Sequence, residues 1–202
     1  EPGIPDSYLS PLAFKRVSLE SGDGFVAKLR IALPILNSIT LNPDQIAGGL
    51  GAFTTGTVTL RNPAPAGGVQ VTVRVLNPAV ARLSRVGGPT SIRVTIPAGA
   101  NAGTFTVFSN RVLVPSFCDI RAELDGDFLI SRLNVRPWLD SFTISTDAVA
   151  GGNPLSGTVT LFQPAPAGGV NVLLSTDAPS LITFPLSTVT IPQGQQSLTF
   201  DI

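Results

Sequence analysis

A long internal repeat is the feature that most constrains how this chain can fold. Residues 56–69 read GTVTLRNPAPAGGV and residues 157–170 read GTVTLFQPAPAGGV, so 12 of 14 positions are identical at an offset of 101. Chance does not produce identity of this length, and a fixed offset means that one structural unit occurs more than once. The chain is therefore expected to fold as copies of one module.

Shorter matches extend this repeat at offsets of 103 and 95, which differ by loop-sized insertions. They pair residues 36–41 with 139–144, and residues 94–97 with 189–192. In addition, residues 14–34 resemble residues 117–137, and both stretches contain Gly-Asp or Asp-Gly turn signals. The first 33 residues are therefore expected to be the end of a module whose beginning does not precede them.

Each repeated stretch has the side-chain pattern of a strand. Val69, Val71, Val73 and Val75 alternate with Gln, Thr and Arg, and this alternation predicts one buried and one exposed face. Charged residues make up only 13% of the chain, whereas Val, Thr, Pro and Gly are abundant, which favours strands and turns over helices. Seven strands are predicted in the complete module, near residues 36–41, 55–61, 69–76, 91–97, 103–109, 117–124 and 128–136. Seven short strands separated by turns predict an all-β, two-sheet sandwich.

The motifs also resemble those of a known group of proteins. GTVTL, PAPAGG, VTIPAG and TFTV stand at residues 56–60, 63–68, 94–99 and 104–107, and related motifs stand at 157–161, 164–169, 189–194 and 199–202. This arrangement resembles the immunoglobulin-like repeats found in tandem in large bacterial surface and secreted proteins. The resemblance implies immunoglobulin-like β-sandwich modules and an extracellular or cell-surface location. It is not specific for function, because such modules serve as spacers, adhesins, fibre subunits and enzyme appendages.

The repeat divides the chain into three predicted parts. Residues 34–137 are one complete sandwich, and residues 138–202 hold only the first five strands of a second one. Residues 1–33 hold the last two strands as a hairpin. Ile202 aligns with Val107, so the two fragments, of 33 and 65 residues, together approximate the 104 residues of the complete module. One immunoglobulin-like module is therefore expected to be split between the two ends of this sequence.

The two fragments are predicted to fit each other through apolar side chains. The incomplete module would present an acceptor face lined by Phe142, Ile144, Val159, Leu161, Val170, Val172, Leu198 and Phe200. The hairpin would donate Val17, Leu19, Phe25, Ala27, Leu29 and Ile31. At ~1.5 to 3 kcal/mol for each large side chain that becomes buried, the gross gain from docking is on the order of 10 kcal/mol before the cost of association.

This docking is expected between chains, because only Pro34 separates the hairpin from the complete module, which then lies between the two fragments. Insertion of one chain's hairpin into the next chain propagates as an open filament. The leading hypothesis is a self-polymerising extracellular fibre subunit, whose organisation resembles the donor-strand assembly of pilus subunits. The alternatives are a piece of a long tandem-repeat adhesin or stalk, and a carbohydrate-binding or enzyme-appended module. The absence of an initial Met or a signal peptide favours a mature or excised segment.

Residues with catalytic chemistry are scarce, and the chain is predicted not to be an enzyme and to need no cofactor or metal. There is no histidine, and the single cysteine, Cys118, falls on the apolar side of a predicted strand, which predicts a buried thiol. Asp125-Gly126-Asp127 is interpreted as a hairpin turn and Ala47-Gly48-Gly49-Leu50-Gly51 as a strand connection. Trp138, beside Pro137 at the module junction, is predicted to pack between modules.

Charge indicates which partners to expect. The formal net charge is zero without blocks of like charge, which argues against nucleic acid or an anionic membrane as a partner. No apolar run approaches the ~20 residues needed to cross a bilayer, so no membrane insertion is expected. The predicted partner is the chain itself, as a head-to-tail homopolymer. A fibre of this kind could also meet surface glycans or a host or biofilm matrix.

Overall fold

The computed structural model describes residues 14–15, 29–30 and 34–202, and this part of the chain consists of strands and loops without a helix. Strands β1 (Phe14–Lys15) and β2 (Leu29–Arg30) pair antiparallel, with Phe14 opposite Arg30. A hairpin over the N-terminal residues requires this antiparallel pairing. Of the predicted donor residues, Val17, Leu19, Phe25, Ala27 and Ile31 lie outside the described residues, and Leu29 is described only as part of β2.

Residues 34–137 form nine strands. They are β3 (Leu36–Asn42), β4 (Gln45–Ala47), β5 (Phe53–Leu60), β6 (Val69–Val75), β7 (Ala81–Leu83), β8 (Ser91–Ile96), β9 (Ala102–Ser109), β10 (Ser116–Leu124) and β11 (Asp127–Arg136). The seven predicted strands are confirmed, each to within two residues at either end. Strands β4 and β7 were not predicted, because three residues are too few to show an alternating pattern.

These nine strands make two sheets that enclose one core. One sheet has the order β4-β11-β10-β6-β8 and the other the order β3-β5-β9-β7. The inward side chains of both sheets, such as Val58, Val71, Ile120 and Leu133, are completely buried in one apolar cluster. The all-β prediction is confirmed, and this part of the chain has the architecture of a β-sandwich.

Residues 138–202 form five more strands in two smaller sheets. They are β12 (Leu139–Ile144), β13 (Ser156–Leu161), β14 (Val170–Leu173), β15 (Thr188–Ile191) and β16 (Ser197–Asp201). Strands β12, β13 and β16 form one sheet, and β14 pairs with β15 in the other. A separate cluster of buried residues, which includes Leu161 and Ile191, lies within this C-terminal part.

The two copies of the repeat have the same turn and the same glycine packing. The PAPAGG stretches end in glycines with positive φ, 99° and 75° at Gly67 and Gly68 and 92° and 73° at Gly168 and Gly169, a conformation that glycine adopts without strain. Gly56, in β5, leaves room for the ring of Phe105 on the neighbouring strand. Two alternating runs joined by Pro and Gly are typical of a hairpin, but here the stretch leads from β5 to β6 in the opposite sheet, and it leads from β13 to β14 in the same way.

Candidate functional site

Strand pairing shows which residues of the two sandwich parts are equivalent. In the β3–β5 pair, Leu36 lies opposite Leu60 and Ile39 lies opposite Val58. In the β12–β13 pair, Leu139 lies opposite Leu161 and Phe142 lies opposite Val159. Both pairs also have their irregularity at the same place, directly after the first residue pair. Strand β12 therefore corresponds to β3, and β13 corresponds to β5.

Equivalent positions of β3 and β12 differ sharply in exposure. Three apolar residues of β3 are buried, with exposed fractions of 7% for Leu36, 8% for Ile39 and 8% for Leu41. Their counterparts in β12 are half exposed, with 51% for Leu139, 53% for Phe142 and 47% for Ile144. Strands β10 and β11 lie against β3 in the complete sandwich, and the described residues 138–202 contain no equivalents of these two strands. The difference in exposure follows from this missing cover.

The edge of the smaller sheet is open as well. In the complete sandwich, β6 is hydrogen-bonded to β8 on one side and to β10 on the other. Its counterpart β14 is paired with β15, in the register of the β6–β8 pair, and has no second neighbour among the described strands. Leu173, on this open edge, is 76% exposed. An unpaired row of backbone N–H and C=O groups recruits further strands.

A cleft joins the exposed face and the open edge. It has a volume of about 370 Å³ and lies between β12 and β13 on one side and β14 on the other. Leu139, Phe142, Val159 and Val172 line it, together with Phe184 from the loop after β14. We call this cleft the acceptor groove. Asp140, Ser141 and Ser175 also line it, so the groove offers apolar side chains for burial and polar groups beside them.

The structure brings the eight predicted acceptor residues together in one region, but only two of them are broadly exposed. Val159, Leu161, Val170 and Val172 are buried in the C-terminal cluster, and Leu198 and Phe200 pack against it. Phe142 and Ile144 are the exposed pair, and the ring of Phe142 stacks on Phe200 with the centroids 6.2 Å apart. The open surface is narrower than the predicted face, because the two small sheets still pack against each other.

Sequence reasoning missed three residues of this region. Leu139 and Phe184 line the acceptor groove, and Val149 is 45% exposed, whereas its counterpart Ile46 is 3% exposed. Ile46 lies in β4, which pairs in parallel with β11, whereas residues 148–150 form no strand. The offset of 103 could have identified Leu139 and Val149, because it aligns them with Leu36 and Ile46.

Trp138 packs at the junction of the two sandwich parts, as predicted. Its ring lies against the C-terminal cluster, and its indole N–H donates a hydrogen bond of 3.4 Å to the Gly49 carbonyl. The Ala47 amide also donates to the Gln163 side chain at 3.2 Å across the same junction. These contacts hold the C-terminal part against the 47–51 connection of the complete sandwich.

The remaining candidate residues have structural roles. Cys118 is fully buried, as predicted, and burial raises the pKa of its thiol. Asp125 and Gly126, with φ of 50° and 92°, form the turn between β10 and β11, which confirms the turn interpretation. Residues 48–52 connect β4 to β5, also as interpreted. The most developed ion pair joins Arg132 to Asp119 at 2.8 and 3.1 Å, and this hydrogen bond lowers the pKa of Asp119.

Within the described ranges, no three His, Cys, Asp or Glu side chains are grouped closely enough to hold a metal ion. In this part of the chain there is also no helix of the length and hydropathy needed to cross a membrane.

Comparison with known proteins adds no family assignment. No protein-family model matches the sequence, and no curated protein is found to be similar to it.

Proposed function

We propose that this protein is the structural subunit of an extracellular, pilus-like fibre that grows when the N-terminal hairpin of one subunit inserts into the acceptor groove of the next. The observation that carries the proposal is the contrast between β3 and β12. Leu36, Ile39 and Leu41 are buried beneath two strands, whereas Leu139, Phe142 and Ile144 are exposed at the same positions. Covering them requires a pair of strands equivalent to β10 and β11.

The order of the strands supports the immunoglobulin-like part of this proposal. An immunoglobulin-type sandwich has its first, second, fifth and fourth strands in one sheet, and its third, sixth and seventh strands in the other. When β7 is counted as the fourth strand, the sheet β3-β5-β9-β7 has the first arrangement, and β11-β10-β6 has the second. Strands β4 and β8 are then additional edge strands, and β8, which was predicted as the fourth strand, pairs with β6 in the other sheet. In this scheme β12, β13, β14 and β16 are strands of an incomplete module, whose sixth and seventh strands are supplied from outside it.

The sequence of the hairpin supports its role as donor. Residues 14–34 resemble residues 117–137, the segment that forms β10 and β11. By that alignment Val17 and Leu19 match the buried Ile120 and Ala122 of β10. In the second strand Phe25 and Ala27 match Phe128 and Ile130, which are half exposed, so this strand presents its apolar residues inward only if it is shifted by one residue. The pairing of Phe14 with Arg30, where Phe117 pairs with Asn134, is a shift of this size. Strand addition supplies backbone hydrogen bonds along the open edge of β14, and the apolar side chains supply the burial energy.

Connectivity favours docking between chains. Strand β11 leads through Pro137 and Trp138 directly into β12, and the hairpin leads in the same way through Pro34 and Ile35 into β3. The complete sandwich therefore separates the hairpin from the acceptor groove of its own chain. A strand of ten residues is about 33 Å long, and the short connection at Pro34 cannot span that distance. A head-to-tail contact of this kind propagates as an open filament unless its rotation closes a ring.

Deletion of the hairpin tests this proposal. The full chain at micromolar concentration should form thin filaments in electron micrographs, whereas a chain without residues 1–33 should stay monomeric. The shortened chain should still bind to one end of growing filaments and stop them, because its acceptor groove is intact. A monomeric full chain, or a shortened chain that still forms filaments, would contradict the proposal.

The repeat itself favours a second candidate, a segment of a long tandem-repeat adhesin or stalk. In such a protein, the strands that complete residues 138–202 would come from the same polypeptide. The mass of the natural protein separates the two. A fibre subunit should have a mass near the 20.9 kDa of this sequence, whereas a tandem array should be several times heavier.

A further inference from the structure

A second cleft adjoins the acceptor groove at the junction of the two sandwich parts. Its volume is about 690 Å³, and we call it the junction cleft. The complete sandwich contributes Leu50, Arg111 and Leu113 to its wall, and the C-terminal part contributes Trp138 and Leu173. The junction cleft and the acceptor groove share Leu139, Val172 and Leu173, so the two clefts are continuous.

The side chains from the complete sandwich are unusually apolar for an exposed loop. Leu113 is 77% exposed and Leu50 is 61% exposed. Arg111 is exposed beside them, and no carboxylate of the described residues forms an ion pair with it. An exposed apolar patch with one cation beside it fits an apolar partner segment that carries an acidic residue.

The complete sandwich shows where the turn of an inserted hairpin would lie. Its own turn between β10 and β11 lies against the start of β3, where Gly126, Asp127 and Phe128 line one small cleft with Leu36. Leu36 corresponds to Leu139, and Leu139 lines the junction cleft. A hairpin docked in the same way therefore has its turn at the junction cleft.

We infer that the junction cleft is a second docking surface, in which the acceptor subunit holds the turn of the incoming hairpin. This inference rests on the proposed function. By the offset of 103, Gly22, Asp23 and Gly24 correspond to Asp125, Gly126 and Asp127 at the turn between β10 and β11. In this docking Asp23 of the incoming hairpin faces Arg111, and Phe25, the apolar residue next to the turn, covers Leu113. Each joint of the fibre thus involves both sandwich parts of the acceptor subunit, which fixes their relative orientation.

Charge reversal tests the pairing of Asp23 with Arg111. In the full chain, Arg111→Asp and Asp23→Arg should each slow filament growth roughly three- to fivefold at low salt, and the double variant should recover most of the loss. Arg85→Asp is the matched control, because Arg85 is exposed on the same sandwich but does not line the junction cleft. It should leave the growth rate unchanged.

A second pair of variants tests the apolar part. Leu113→Ser should raise the critical concentration for assembly about tenfold, whereas Val86→Ser, at a site that is 61% exposed outside the cleft, should leave it unchanged. Both sites are exposed, so neither change should unfold the chain.

The outcomes separate this inference from the proposed function. If filaments form and the Arg111 and Leu113 variants assemble like their controls, the junction cleft takes no part in assembly and the inference is overturned. If the unaltered chain forms no filaments at all, the proposed function fails and the inference fails with it.

Discussion

The exposed ring of Phe142 allows a quantitative test of hairpin docking. The area that the ring would bury on docking can be estimated from Ile39, the equivalent residue of the complete sandwich. Phe142 is 53% exposed in the open module and Ile39 is 8% exposed in the closed one, a difference of 45 percentage points. For a side chain of roughly 200 Å² this is about 90 Å², or about 2 kcal/mol at ~25 cal/mol per Å². Phe142→Ala should therefore raise the critical concentration for assembly about 30-fold.

Sedimentation of filaments at a series of chain concentrations measures this effect. Phe53→Ala is the matched control, because Phe53 is 57% exposed and lies on β5 of the complete sandwich, away from the groove. Trp138 is the only tryptophan and packs on the C-terminal cluster, so its fluorescence reports whether the altered module is still folded. The reasoning is refuted if both folded variants assemble at the same concentration as the unaltered chain.

Three further predictions concern Cys118, Asp119 and residues 148–150. Burial raises the pKa of the Cys118 thiol, so a maleimide at neutral pH should label it only after unfolding; rapid labelling of the folded chain would contradict this. Arg132 lowers the pKa of Asp119, so this carboxylate stabilises the fold above its unfolded pKa, and the contribution is lost as the pH falls through the lower folded pKa. In the Asp119→Asn variant, the free energy of unfolding, measured with urea at several pH values, should therefore fall less steeply at acidic pH. An unchanged slope would count against the ion pair. Residues 148–150 correspond to β4, which pairs with β11 in the complete sandwich, so they should form a strand beside the docked hairpin. Their amide hydrogen exchange should then slow on assembly; an unchanged exchange rate in filaments would refute this prediction.

The repeat and the alternation of side chains were sufficient to predict the seven main strands. In β6, for example, four valines alternate with polar residues, and the structure buries all four valines. Such strands can be predicted because the alternation of apolar and polar residues in the sequence matches the alternation of buried and exposed side chains. Strands β4 and β7 could not be, because each has only three residues and depends on a neighbour that is distant in the sequence.

Exposure at the acceptor groove was less predictable for a related reason. Leu36 and Leu139 are both leucines at equivalent positions of their strands, yet Leu36 is buried and Leu139 is half exposed. The difference arises from strands elsewhere, which local sequence does not specify. The reverse error occurred at Val159 and Val172, which were expected on the open face. They are buried because the two small sheets pack together without the missing strands.

The most direct test of strand complementation is a disulfide between subunits. In the complete sandwich, Arg121 of β10 lies opposite Arg74 of β6. By the offset of 103, Arg121 corresponds to Ser18 of the hairpin, and by the offset of 101, Arg74 corresponds to Ser175 beside β14. A chain with Ser18→Cys and Ser175→Cys, assembled and then mildly oxidised, should give a ladder of covalent multimers on a denaturing gel. A chain with Ser18→Cys and Ser145→Cys should not, because Ser145 follows β12 in the other sheet. The account is contradicted if the Ser18 and Ser175 pair yields only monomers, or if both pairs cross-link equally well.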